Sequence, residues 1–194
     1  MSTLQSFENG LEAIIGRPTT LRPFVCDGSP LDCRVFIVGF NPATDSEIDF
    51  WTFWSSDRGF DKKLWYQNYL KERCERPLKP GKTRRPQKSN TRRVMDWIEA
   101  EASSVRFLET NIYSSASEQA KDLVTERRIT APFDYLLREI RPHAVIAHGH
   151  DAVAHLQTKV EQERLIQVQH FARGWSEEKA RELGRRIARE FGVG

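Results

Sequence analysis

Four short apolar runs constrain the fold more than any other feature of the chain. They lie at residues 33–38, 105–112, 144–148 and 164–168, each bounded by polar or turn residues and most of them rich in β-branched side chains. Apolar runs of this length read as strands covered on both faces. Helical patterns separate them. Ser89 caps a helix with Val94, Trp97 and Ile98 on one face, and Pro132 opens another with Phe133, Leu136, Leu137 and Ile140, stopped by Pro142. Residues 151–160 carry Val153, Leu156 and Val160, and Ser176 with Glu177 and Glu178 starts a last helix striped by Ala180, Leu183, Ile187 and Phe191. Strands alternating with helices predict an α/β fold, with a parallel sheet in a sandwich, over residues 1–194 as one domain.

Composition narrows the class. Of 194 residues, 39% are hydrophobic and 29% charged, enough apolar surface for a core. No apolar run approaches the ~18 residues that a membrane span needs. Residues 1–10 carry neither a basic start nor an apolar stretch, so no secretory leader is read and a cytoplasmic location is expected. Cys26, Cys33 and Cys74 are too few for a disulfide framework or a four-thiolate metal cage.

Charge is unevenly placed. Residues 71–93 hold ten basic side chains and two acidic ones, so this window carries +8 within a chain of net charge +3. A cationic loop at about 75–93 on an acidic body suits a polyanion such as nucleic acid; its Pro77, Pro80, Gly81 and Pro86 also fit a merely solvated loop.

In open α/β sheets, ligands bind beyond the carboxyl ends of the strands. Four polar loops stand there, at residues 39–44, 111–115, 149–151 and 170–175. The first, Gly39-Phe40-Asn41-Pro42-Ala43, uses Gly for a close turn and Pro to stiffen the exit. Such residues also occur in loops that merely turn the chain.

Taken together, the G-x-N-P loop after the first strand, Asn111 ending a later one and His170 after the last resemble the uracil-DNA glycosylase superfamily. The branches with Asn in the first motif, mismatch-specific and single-strand-selective, are the most similar, and the likeness runs from about residue 33 to 191. It implies a three-layer α/β/α sandwich around a four-stranded parallel sheet and hydrolysis of the N-glycosidic bond of a flipped nucleotide, with no cofactor. By that resemblance Asn41 holds the attacking water, Asn111 reads the base edge and His170 stabilises charge on the departing base, with Phe40 and Ala43 beside the base. Asp45 either supplies a carboxylate or is an exposed helix-start residue. Phe53 and Trp54 stand at the distance where the family stacks the flipped base, although at least two of the four aromatics at residues 50–54 belong to the core.

Two departures matter. The family's last motif usually has Pro after the His, whereas here Phe171 follows, an apolar wedge with Arg173 as a nearby cation before a helix start. Enzymes strict for uracil place Tyr where this chain has Ala43, so a larger base fits: mismatched thymine, or a cytosine with a bulky 5-substituent as in modified phage DNA. Lys82, Arg84, Arg85, Lys88 and Arg92 are expected to hold DNA phosphates. A monomer is expected. His148-Gly149-His150 with His155 resembles a metal-ligand spacing, but no supporting carboxylate cluster accompanies it, so no metal is expected. A non-catalytic nucleic-acid-binding module and a metal-dependent hydrolase using His148 and His150 are the alternatives.

Overall fold

The structure, a computed structural model, describes residues 3–78, 80–117 and 120–192. In chain order the elements are α1 (Leu4–Ile15), β1 (Phe24–Cys26), β2 (Val35–Gly39), the short hairpin β3 (Trp54–Ser55) and β4 (Gly59–Phe60), α2 (Lys62–Glu75) and α3 (Asn90–Glu101). Then come β5 (Phe107–Asn111), α4 (Ala131–Ile140), β6 (Ala144–His148), α5 (His150–Leu156), β7 (Leu165–Val168) and α6 (Glu177–Phe191).

The main sheet has five strands in the order β1-β5-β2-β6-β7. Its four long strands are those expected from the apolar runs, and they are all parallel. Val35 pairs with Phe107 on one side and Ala144 on the other, and Val145 pairs with Leu165. The fifth strand corrects the four-stranded expectation: β1 runs antiparallel along the outer edge of β5, Phe24 opposite Thr110. Three residues are too few to show a period. The pairing covers the β5 edge, which would otherwise present unpaired backbone.

Strands β2, β5 and β6 are buried on both faces, and their side chains alternate between the two faces with period two. Phe36, Val38, Leu108, Val145 and Ala147 meet Phe7 and Leu11 of α1, Phe133 and Leu136 of α4 and Leu156 of α5. Val35, Ile37, Phe107, Ala144 and Ile146 meet Val94 and Ile98 of α3 and Ala180 and Ile187 of α6. The result is an α/β/α sandwich with an apolar core on each side of the sheet. Each fully buried large aliphatic or aromatic side chain contributes about 1.5–3 kcal/mol.

The helix starts follow their caps. Ser89 accepts a hydrogen bond from Arg92 N–H at 3.1 Å and Ser176 one from Lys179 N–H at 3.2 Å. Thr3 and Ser6 close a reciprocal capping box on α1. Among the described residues, no helix is long and apolar enough to cross a membrane.

Candidate active site

Parallel strands deliver their ends to one rim, and a cleft of about 750 Å³ opens there. Phe40, Asn41, Pro42, Ala43 and Thr44 after β2, Asn111 at the end of β5, His148 and His150 at the β6–α5 junction, and His170 after β7 all line it. The four sequence-predicted loops therefore do meet.

Gly39 is the floor of this convergence. A Cβ there would stand 2.6 Å from Asn111 Oδ1 and 3.0 Å from His148 Nε2. The sequence suggests a turn as the reason for glycine, but the backbone at Gly39 is not left-handed; two polar side chains closing over its Cα require it. Backbone bonds from Ile112 N–H to Gly39 O and from Tyr113 N–H to Phe40 O, both 3.0 Å, fix the two loops to each other. Phe40 rests edge-on against Tyr113, centroids 5.0 Å apart.

The Asn41 amide is held by its nitrogen. Nδ2 donates to Pro42 O at 2.9 Å, to Ser117 O at 3.1 Å and to Ser117 Oγ at 2.8 Å. Its Oδ1 is left without a partner among the described residues, an acceptor fixed in place for a water or ligand donor.

Two imidazoles face this region. His170 Nδ1 accepts a hydrogen bond from Ala172 N–H at 3.1 Å, so in the neutral ring the proton sits on Nε2. Burial of the ring, with Arg173 nearby, lowers its pKa from 6.5. His148, which the sequence offers only as a metal ligand of the alternative hydrolase, is 6% exposed, with its ring flat against Phe171 and 5.1 Å from that of His170. Its Nδ1 is buried without a hydrogen-bond partner among the described residues. A buried N–H without a partner is costlier than a bare lone pair, which places the proton on Nε2, toward Gly39 and Asn111. Burial, with the neighbouring His170, drops the His148 pKa to about 3. Both rings thus stay neutral and offer Nε2–H as donors. The signal for His148 was its place at a strand end beside a glycine.

Several expected site residues lie elsewhere. Phe53 is 6% exposed and packs on Phe60, while Trp54 packs on Phe7, Phe24 and Trp51; neither lines the cleft. Asp49 caps a 3-10 turn at Phe50–Phe53 that rolls these rings into the core. The rings that do face the cleft, besides Phe40, are Phe24, Trp65 and Tyr69. Trp65 and Tyr69, four residues apart on α2, stack with centroids at 5.7 Å. Phe171 is not a wedge: it is 1% exposed, packed between His148 and Trp175. Asp45 is solvent-exposed and turned to Arg127 at 3.9 Å, outside the cleft lining and not at a helix start.

The loop expected at about 75–93 is shorter, because α2 runs to Glu75 and residues 90–93 form the first turn of α3; Lys79 lies outside the described residues. Arg92 is buried in a two-pronged ion pair with Glu109, Nη1 to Oε1 at 2.7 Å and Nη2 to Oε2, so it is not a free phosphate ligand. Arg85 Nη1 donates to Arg73 O and Arg76 O, both at 2.9 Å, satisfying carbonyls that the end of α2 leaves open. Lys88 pairs with Asp96 at 2.7 Å, although it reaches the cleft rim. Lys82, Arg84 and Arg173 are exposed and available.

Arg22 was not anticipated. It lines the cleft beside Thr44, whose carbonyl accepts from its Nη2 at 2.7 Å, and burial lowers its pKa. Among the described residues it has no ion-pair partner, and no three His, Cys, Asp or Glu side chains come together as metal ligands could. In comparison with known proteins, no family model and no curated relative matches the chain.

Proposed function

We propose that the chain is a DNA glycosylase that hydrolyses the N-glycosidic bond of a flipped, modified pyrimidine. The reading rests on one observation: Asn41, Asn111 and His170 line a single cleft at the carboxyl ends of parallel strands, with His148 between them. Asn41 Oδ1 would accept from the attacking water and hold it at the sugar, since the amide nitrogen is already committed. An amide cannot take the water's proton at neutral pH, so rate must come from stabilising the leaving base. As the C1′–N bond breaks, its electron pair passes to the base. The Nε2–H of His170, and that of His148 beside it, would donate to the oxygen where that charge accumulates. Water then adds its oxygen to C1′ and gives up one proton to solvent, and the departing base takes one from solvent, so that the sugar gains OH and the base H.

Ala43 and the cleft volume of about 750 Å³ favour a base larger than uracil. Arg22 beyond Thr44 offers a cation to an acceptor-bearing 5-substituent. A bulky 5-modified cytosine, as in modified phage DNA, fits this best, and an anti-phage role follows from that substrate; mismatched thymine is the smaller alternative.

The experiment is mass spectrometry of bases released from plain, uracil-bearing, T·G-mismatched and hypermodified duplexes. Release of the 5-modified base by the wild type, lost in Asn41→Ala and His170→Ala with DNA binding retained, supports the reading. Uracil-only activity would remove the bulky-substrate part. No release from any duplex would leave a binding module.

A further inference from the structure

A second concave surface lies at the opposite end of the sheet. It is a pocket of about 350 Å³ lined by Asp32, Arg34, Ser104, Arg106, Arg141 and His143, among others. Its basic residues form a row rather than a scatter. Arg34, Arg106 and His143 each immediately precede a strand, and those strands, β2, β5 and β6, are neighbours. The first residues of the strands are paired, Val35 with Phe107 and with Ala144. The three basic residues therefore stand on one rung, about 4.8 Å apart from strand to strand. Backbone bonds from Arg34 N–H to Arg106 O at 2.9 Å and from His143 N–H to Arg34 O at 2.7 Å lock that rung.

Arg141 joins them from the end of α4. It is the only non-glycine residue with positive φ among the described residues, at 53°, and its Nε donates to Arg138 O at 3.3 Å. Arg106 is anchored by one nitrogen, Nη1 to Asp27 O at 3.2 Å, and Arg34 Nη1 lies 3.4 Å from His143 Nε2. None of the three arginines forms an ion pair among the described residues, and the pocket's carboxylate, Asp32, does not neutralise three cations. Guanidinium groups held this way keep free N–H pairs, the arrangement that grips phosphate oxygens two at a time.

We propose that this pocket binds an anion carrying two adjacent phosphates. One phosphate would lie between Arg34 and Arg106 and the next toward His143 and Arg141. The site is separate from the cleft, about 16 Å away along β2, and stands whether or not the chain is a glycosylase. The same chemistry is offered by the diphosphate of a nucleotide or by successive phosphates of a nucleic-acid strand.

Calorimetric titration of the full chain with inorganic pyrophosphate tests it, alongside titration with a duplex of unmodified DNA. In Arg34→Gln/Arg106→Gln, pyrophosphate binding should weaken at least tenfold, and less in Arg34→Lys/Arg106→Lys, which keeps charge but loses the fork. Both positions changed, Arg34 and Arg106, carry exposed side chains, so the fold is retained, as circular dichroism of each variant would verify. If DNA affinity is unaltered by the Gln pair, the ligand is a free diphosphate; if it falls with pyrophosphate binding, the pocket holds strand phosphates. Pyrophosphate binding that is absent in the wild type, or equal in the wild type and the Gln pair, overturns the proposal.

Discussion

His148 lies flat against Phe171, ring centroids 4.4 Å apart and planes 15° from parallel. The stack removes the imidazole from water and leaves Nδ1 without a partner, so the charged form is disfavoured and the pKa falls to about 3 from 6.5. In the unfolded chain the ring takes a proton near its ordinary value. Between those two pH values the unfolded state binds the extra proton, so stability is lost as pH falls through that window and is whole above it. Each unit is worth about 1.4 kcal/mol at most. His148→Phe keeps an aromatic stack and removes the titration. The urea midpoint of the wild type should fall more steeply than the variant's between pH 6.5 and pH 4; parallel decline would show that His148 does not titrate in this way.

Gly39→Ala is expected to spare the fold and damage the site. The added methyl would stand 2.6 Å from Asn111 Oδ1, a side-chain end that can swing aside, and 3.0 Å from His148 Nε2, on a buried ring that need give only a few tenths of an ångström. Thermal unfolding should shift little, whereas on the proposed function release of base from modified duplex should drop about tenfold or more. The drop follows because sub-ångström displacement of positioned donors weakens transition-state stabilisation. Full activity in this variant would argue against Asn111 and His148 as site residues.

The strand ends were readable because parallel strands buried on both faces leave unmixed apolar runs, and their loops then fall at one rim. That logic places Asn41, Asn111 and His170 together without any knowledge of side-chain direction. The aromatics were not readable in the same way. Phe53, Trp54, Trp65 and Tyr69 have similar chemistry, and which of them faces a cleft depends on the 3-10 turn at Phe50–Phe53 and the orientation of α2. The apolar content of α2 is low, so its pattern was submerged in charge. Arg92 misled for a related reason: its partner Glu109 lies on β5, seventeen residues away, and only the fold brings them together. Phe171 reads as an exposed wedge until His148 is seen beneath it.

Lys62 bridges two carboxylates, Glu99 Oε2 at 2.6 Å and Glu109 Oε1 at 2.8 Å. Burial, and then Glu109, push Glu99 up to about 7 from 4.5, whereas burial of Glu109 is outweighed by Arg92 and Lys62, which keep it ionised. The folded chain therefore holds a proton on Glu99 that the unfolded chain releases near 4.5, and stability declines as pH rises from there through 7. Glu99→Gln leaves an oxygen for Lys62 and carries no charge. Its melting temperature should exceed the wild type's at pH 8 by a few degrees, at about 2–4 °C per kcal/mol, with little difference at pH 5. Equal melting of variant and wild type at both pH values would mean that folding does not raise the Glu99 pKa.

Arg92 and the pair Lys82 and Arg84 come from one basic stretch but should behave oppositely. Arg92 is 7% exposed, grips Glu109 with two nitrogens and lies over the Trp65 ring at 5.0 Å. Arg92→Ala strands a buried carboxylate with Lys62 as its remaining cation, a loss of about 3–5 kcal/mol of stability that denaturant titration would measure. Lys82 and Arg84 are exposed, so Lys82→Ala/Arg84→Ala should leave the denaturation curve unchanged. If they hold backbone phosphates, that double variant binds every DNA sequence more weakly, and the slope of log affinity against log salt shrinks by about two. An unchanged slope would mean that Lys82 and Arg84 hold no backbone phosphate.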